Sequence, residues 1–103
     1  MRIVGTHVVN NYFADHGSDS RIKAARSSYR AWEEITRVAE WSVPQDVKAS
    51  HPKASILKGA RVVFNIKAND YRLICQINYQ INTVVIRWFG SHDEYDDIDA
   101  DSI

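Results

Sequence analysis

Two arginines, a histidine and a tyrosine (Arg72, Arg87, His92 and Tyr95) are the side chains whose types and spacing could do chemistry together in this sequence. Guanidinium forks hold phosphate oxygens bidentately. An imidazole, titrating near ~6.5 when unperturbed, can serve as acid or base at neutral pH. A phenol can orient a reacting group or pass a proton. Without a metal, such groups suit cleavage of an RNA phosphodiester. The ribose 2′-hydroxyl is an internal nucleophile, so no water has to be activated. The protein must take the 2′ proton, stabilise charge on the phosphorane and protonate the departing 5′ oxygen. Arg72 and Arg87 would supply the electrostatic stabilisation, usually the largest contribution. His92 and Tyr95 would share proton transfer and orientation, with acid and base left open. Lys67 would help hold phosphate, and the basic stretch at Lys58 and Arg61 could touch it. DNA lacks the 2′-hydroxyl and should be inert. Taken one at a time, all of these are also ordinary surface and edge residues of a small α+β domain, and spacing alone favours that plainer reading.

Other chemistries find no support. The four histidines (His7, His16, His51, His92) lack the spacing of any zinc signature, and there is one cysteine, Cys75. The aspartates near the C-terminus lack the EF-hand pattern. No Walker loop or Gly-x-Gly-x-x-Gly opens a helix. No cofactor is expected. Cys75 excludes an intramolecular disulfide, fits a reducing compartment, and sits in an apolar strand pattern where a small buried hydrophobe is the commoner role. No window approaches the ~18 apolar residues of a membrane span, and no secretory leader pattern opens the sequence, so a cytoplasmic protein is the default.

The elements that must position these residues are legible as periodicities. With 103 residues the chain suits one domain with one core. Arg2–Val4 reads as a short strand, with Thr6 as the N-cap of a helix to about His16. Ile22, Ala25, Tyr29, Trp32, Thr36 and Ala39 step by three or four, predicting an amphipathic helix ending near Trp41. Tyr29, Trp32 and Trp41 follow its apolar stripe and are expected in the core rather than as a base-stacking platform. Pro44 suits the first turn of a short helix that His51-Pro52 ends. Lys53 to Lys58 reads as a connector.

Three strands then occupy the stretch after Arg61. Period-two alternation sets Val62, Phe64 and Ile66 against Val63, Asn65 and Lys67. It sets Leu73, Cys75 and Ile77 against Arg72, Ile74 and Gln76, and Val84, Ile86 and Trp88 against Val85, Arg87 and Phe89. The apolar sets should meet a helical hairpin, leaving Lys67, Arg72 and Arg87 on one uncovered face. The short connections predict antiparallel hairpins. Ser91 with Glu94 has capping-box spacing, which starts a short helix carrying His92 and Tyr95 on one face.

The formal net charge is zero, yet from His92 onward there are six acids and no lysine or arginine, so residues 1–91 carry the compensating positive excess. A basic body suits a polyanion, and an acidic tail can limit that binding.

At these residues the chain resembles the HigB-type branch of the RelE-like toxins, the mRNA-cleaving halves of type II toxin–antitoxin pairs. The matching text is Pro44 with Asp46-Val47-Lys48, Pro52 with Ala54-Ser55, and Arg61 through Lys67. It continues through Asn69 with Tyr71-Arg72-Leu73, Ile86-Arg87, and Gly90 with His92 and Glu94-Tyr95-Asp96. The resemblance implies a helical hairpin on a small, mostly antiparallel sheet. It implies metal-independent mRNA cleavage, in many relatives on the ribosome, with roles for Arg72, Arg87, His92 and Tyr95 and a weaker one for Lys67. It also implies a cognate antitoxin, often a HigA-like helix-turn-helix protein. The competing expectations are a non-catalytic RNA- or ribosome-binding module and a plain protein-interaction domain.

Overall fold

The computed structural model describes residues 1–103. In order they form β1 (Arg2–Val4), α1 (Thr6–Asp15), α2 (Ile22–Val38), α3 (Pro44–Ser50) and β2 (Ser55–Ile56). Next come β3 (Arg61–Ile66), β4 (Tyr71–Asn78), β5 (Thr83–Ser91) and α4 (His92–Asp96). The sheet order is β1-β5-β4-β3-β2. β1 runs parallel to β5, and the remaining pairings are antiparallel. This is the expected α+β architecture: helices on a mostly antiparallel sheet, closed by a short C-terminal helix. No helix is long and apolar enough to cross a membrane.

α1 packs on β5, and α2 lies across β1 and β3. Their buried stripes, Val9 and Phe13 on α1 and Ile22, Ala25, Tyr29 and Trp32 on α2, share one apolar cluster with Phe64, Leu73, Cys75 and Ile86 of the sheet. Aromatic edges interlock there, with Phe13 against Phe89 at 5.3 Å and Trp32 against Phe64 at 5.3 Å between ring centroids. Tyr29 and Trp32 are core residues, as their place on the stripe predicted, and Trp41 is buried as well.

Several local expectations are corrected. Thr6 is not the cap of α1. Gly5 takes that position at φ 92°, where any Cβ would lie 2.9 Å from the Ile86 carbonyl. α2 stops at Val38 rather than near Trp41, because Ala39 turns to extended backbone. The Met1 ammonium accounts for that exit: it donates to the carbonyls of Thr36, Arg37 and Ala39, which a longer helix would need for itself. Trp41 instead folds inward, and its indole N–H donates to Ser50 Oγ at 3.0 Å. The connector after Lys53 holds β2, a two-residue edge strand too short for alternation to reveal. Lys67 is not in β3. It opens the β3–β4 turn with Ala68, both at positive φ (51° and 54°). That strained backbone is held by the Lys67 amide on Ser28 Oγ at 2.7 Å and by the Lys67 ammonium on Asp70 at 2.9 Å.

The largest correction concerns β5. Cys75 pairs with Ile86 while Ile74 pairs with Trp88, so Arg87 is an extra residue in a β-bulge. The bulge reverses the alternation beyond it. Phe89, not Trp88, faces the helices, 4% exposed and stacked on Tyr71 at 5.6 Å. Trp88 turns to the opposite face. That face is not bare: Ile74 and Val63, paired across β4 and β3, are fully or nearly buried on it.

Candidate active site

Arg72, the second residue of β4, lies on the face away from the helical core, opposite Gly90 of β5. Immediately beyond Gly90 the chain turns into α4. Ser91 Oγ accepts the Glu94 amide at 3.2 Å, and Glu94 Oε1 accepts the Ser91 amide at 2.8 Å, closing the predicted capping box. The His92 amide donates to the Asp70 carbonyl at 2.9 Å, which pins the start of α4 to the β3–β4 turn.

These ties bring His92 beside Arg72, with Nη2 3.0 Å from the imidazole Nδ1. The other guanidinium nitrogen, Nη1, donates to the carbonyls of Asn69 (2.9 Å) and Tyr71 (3.2 Å). The Arg72 guanidinium also sits 5.8 Å from the Tyr95 ring centroid. Because a guanidinium only donates, Nδ1 must present its lone pair to Arg72. The neutral ring then carries its proton on Nε2, which faces Asp96 Oδ2 at 3.7 Å. Arg72, His92 and Tyr95 therefore form one cluster, and its imidazole is half exposed to solvent.

The remaining sequence candidates do not join it. Arg87 is exposed and makes no hydrogen bond or ion pair. In the bulge it lies three residues along β5 from the partner of Arg72, about 10 Å at the ordinary strand rise. Lys67 shares the β3–β4 turn with Asp70 but spends its ammonium on that carboxylate. Arg61 pairs with Gln76, four residues down β4 from Arg72 and about 13 Å away. Its Nε donates to the Ile103 carbonyl at 2.8 Å. Lys58 is exposed at that same far end.

Sequence reasoning missed Arg21. It lines a polar recess of about 290 Å³ together with Asn69, Asp70, Ser91, His92 and Asp93. Its guanidinium lies 5.8 Å from the Tyr71 ring centroid and bonds Asp19 at 2.9 Å. No sequence signal joins Arg21 to His92, because they meet only through the fold. Trp88, turned outward by the bulge, was also missed as a neighbour of the site; its ring centroid is 6.2 Å from that of Tyr95. A Cβ on Gly90 would meet Trp88 ring carbons at 2.5 Å, so the glycine makes room for the indole.

The surrounding carboxylates are held ionised. Asp70 is lowered by the hydrogen bond and charge of Lys67. Asp19 is lowered to about 2, first by its hydrogen bonds from Arg21. Partial burial pushes Glu94 up, but its hydrogen bonds from Ser91 and Tyr12 outweigh that and leave it below the usual range. Tyr71 is raised by burial. The arrangement offers a cationic fork, an imidazole with a defined tautomer and a phenol ring, with the imidazole also lining the polar recess.

No curated protein matches the chain. The family model of the HigB toxins, described as the RelE-like toxic component of a toxin–antitoxin system, matches residues 25–98. The match runs from α2 to the end of α4 and takes in Arg72, His92 and Tyr95, so the chain belongs to the HigB family of RelE-like toxins, each the toxic partner of an antitoxin.

Proposed function

We propose that this toxin is a metal-independent endoribonuclease that cuts mRNA, engaged on the ribosome in the cytoplasm, and so inhibits translation. The observation that carries the reading is the 3.0 Å contact between the Arg72 fork and His92 Nδ1, with Tyr95 against the same guanidinium. In the proposed step the 2′-oxygen attacks phosphorus and the bond to the 5′-oxygen breaks. The products are a 2′,3′-cyclic phosphate and a 5′-hydroxyl. Arg72 holds the phosphorane oxygens as charge builds on them. His92 and Tyr95 move and orient the proton that leaves the 2′-hydroxyl and the one that joins the 5′-oxygen. Arg87, free of other side-chain partners, adds cationic attraction for neighbouring phosphates; Lys67 could do so only by leaving Asp70. The partner that silences the toxin is a HigA-like helix-turn-helix antitoxin.

Primer extension on a message after induction tests this. Wild-type protein should leave discrete cleavage ends, and Arg72→Ala or His92→Ala should lower cleavage on the order of 10²–10³-fold while the fold survives. A 2′-deoxy substitution at the cut site should abolish cleavage. Tight, salt-sensitive RNA binding with no cut in any context would make the protein a binding module instead.

A further inference from the structure

Tyr12 lies on α1, outside residues 25–98 that carry the family match. Its hydroxyl donates to Glu94 Oε1 at 2.7 Å, across 82 positions of sequence. The same oxygen accepts the Ser91 amide that closes the capping box of α4. Glu94 is thus shared between α1 and the helix that bears His92 and Tyr95. Tyr12 is itself fixed before it reaches Glu94. Its ring stacks on His16 at 3.9 Å, and it packs edge-to-face with Phe89 at 5.1 Å and Tyr71 at 6.2 Å.

α4 has five residues, none of them buried, and a helix that short does not persist unaided. Besides the Arg72–His92 contact itself, two hydrogen bonds from elsewhere in the chain hold it: the His92 amide on Asp70, and Tyr12 on Glu94. The first fixes where α4 begins. The second fixes how it is turned, because it acts on Glu94, which lies between His92 and Tyr95.

We propose that Tyr12 is a positioning residue: its hydroxyl, acting through Glu94, sets the angle at which α4 offers His92 and Tyr95 to Arg72. The activity this would serve is the nuclease reading given above. If Tyr12 were only packing, its ring would suffice and the hydroxyl would be dispensable. Tyr12→Phe separates the two roles.

Steady-state cleavage and amide exchange by NMR, on full-length protein made by cell-free synthesis, decide the matter. Tyr12→Phe should lower kcat on the order of tenfold through misplacement of α4. KM should stay within about twofold, since phosphate contacts are untouched. Amides of His92 to Asp96 should exchange faster while those of β3 and β4 stay at wild-type rates. Glu94→Ala should lower kcat at least as far, since it also opens the capping box, and adding Tyr12→Phe to it should cost nothing more. Glu94→Gln, which keeps an acceptor oxygen, should recover most of the activity. Unchanged cleavage with unchanged α4 exchange would overturn the proposal, as would loosening spread evenly through the sheet. If the wild-type protein cuts no RNA yet Tyr12→Phe still frees α4, the tether stands and the nuclease reading falls.

Discussion

Arg72 divides its guanidinium between two tasks. Nη1 is bonded to two backbone carbonyls, Asn69 and Tyr71, so the plane of the fork is set by the start of β4. Nη2 is left for His92, and that bond selects the imidazole tautomer. A lysine could carry the charge but not this division, because an ammonium is a point donor on a flexible stem. Arg72→Lys should therefore keep KM close to wild type while kcat falls on the order of ten- to a hundredfold, less than for Arg72→Ala. Single-turnover cleavage of a short RNA, with the two variants side by side, makes the comparison. Equal activity of lysine and arginine would show that charge alone is needed at this position. That Arg72, His92 and Tyr95 could meet was legible from the strand alternation together with the capping box that seats α4. The fork's two carbonyl partners were not, because backbone acceptors leave no mark on a sequence.

Among the elements, β5 does most to shape the site, through its bulge at Arg87. One inserted residue turns Phe89 into the core and Trp88 out toward Tyr95. The two positions should then differ sharply in their contribution to stability. Phe89→Ala removes a ring packed against Phe13, Tyr12 and Tyr71 and should destabilise by about 3–5 kcal/mol. Trp88→Ala should cost clearly less, since its indole is only partly buried, on the face away from the helices. Urea denaturation of the two variants checks the order, and the reverse order would mean the strand runs through without the bulge. Strands β3 and β4, with their apolar and mixed faces, were readable from period-two alternation. The bulge was not, because Trp88 and Phe89 are both apolar and either phase satisfies the pattern. Lys67 was misplaced for a related reason. Its type suited the polar face of β3, and nothing in the sequence announces a lysine and an alanine at positive φ.

At the scale of the whole molecule, the recess beside His92 is assembled from segments far apart in the chain, and carboxylates join several of them. Asp19 holds Arg21 at the entry to α2, Asp70 holds Lys67 in the β3–β4 turn, and Glu94 ties α4 to α1. All three are depressed below their ordinary values of 3.8 for aspartate and 4.5 for glutamate, Asp19 to about 2. The sign of the linkage follows. A carboxylate more acidic in the folded state adds stability that is complete above its unfolded pKa and is lost as pH falls through the folded one. These groups are exposed or nearly so, and solvent screening keeps each contribution small. Their common placement matters more than their sum, because all three border one end of the sheet. On acidification from about pH 5 toward pH 2, stability should decline, and α4 and the β3–β4 turn should loosen before the strands of the core. Urea midpoints against pH measure the first effect, and amide exchange of His92 to Asp96 against that of Leu73 to Ile77 measures the second. Within Leu73 to Ile77 the one titratable side chain is Cys75, and burial pushes it further from ionisation. A stability that stays flat down to pH 2, or strands and α4 that open together, would mean these ties do not hold the recess in solution.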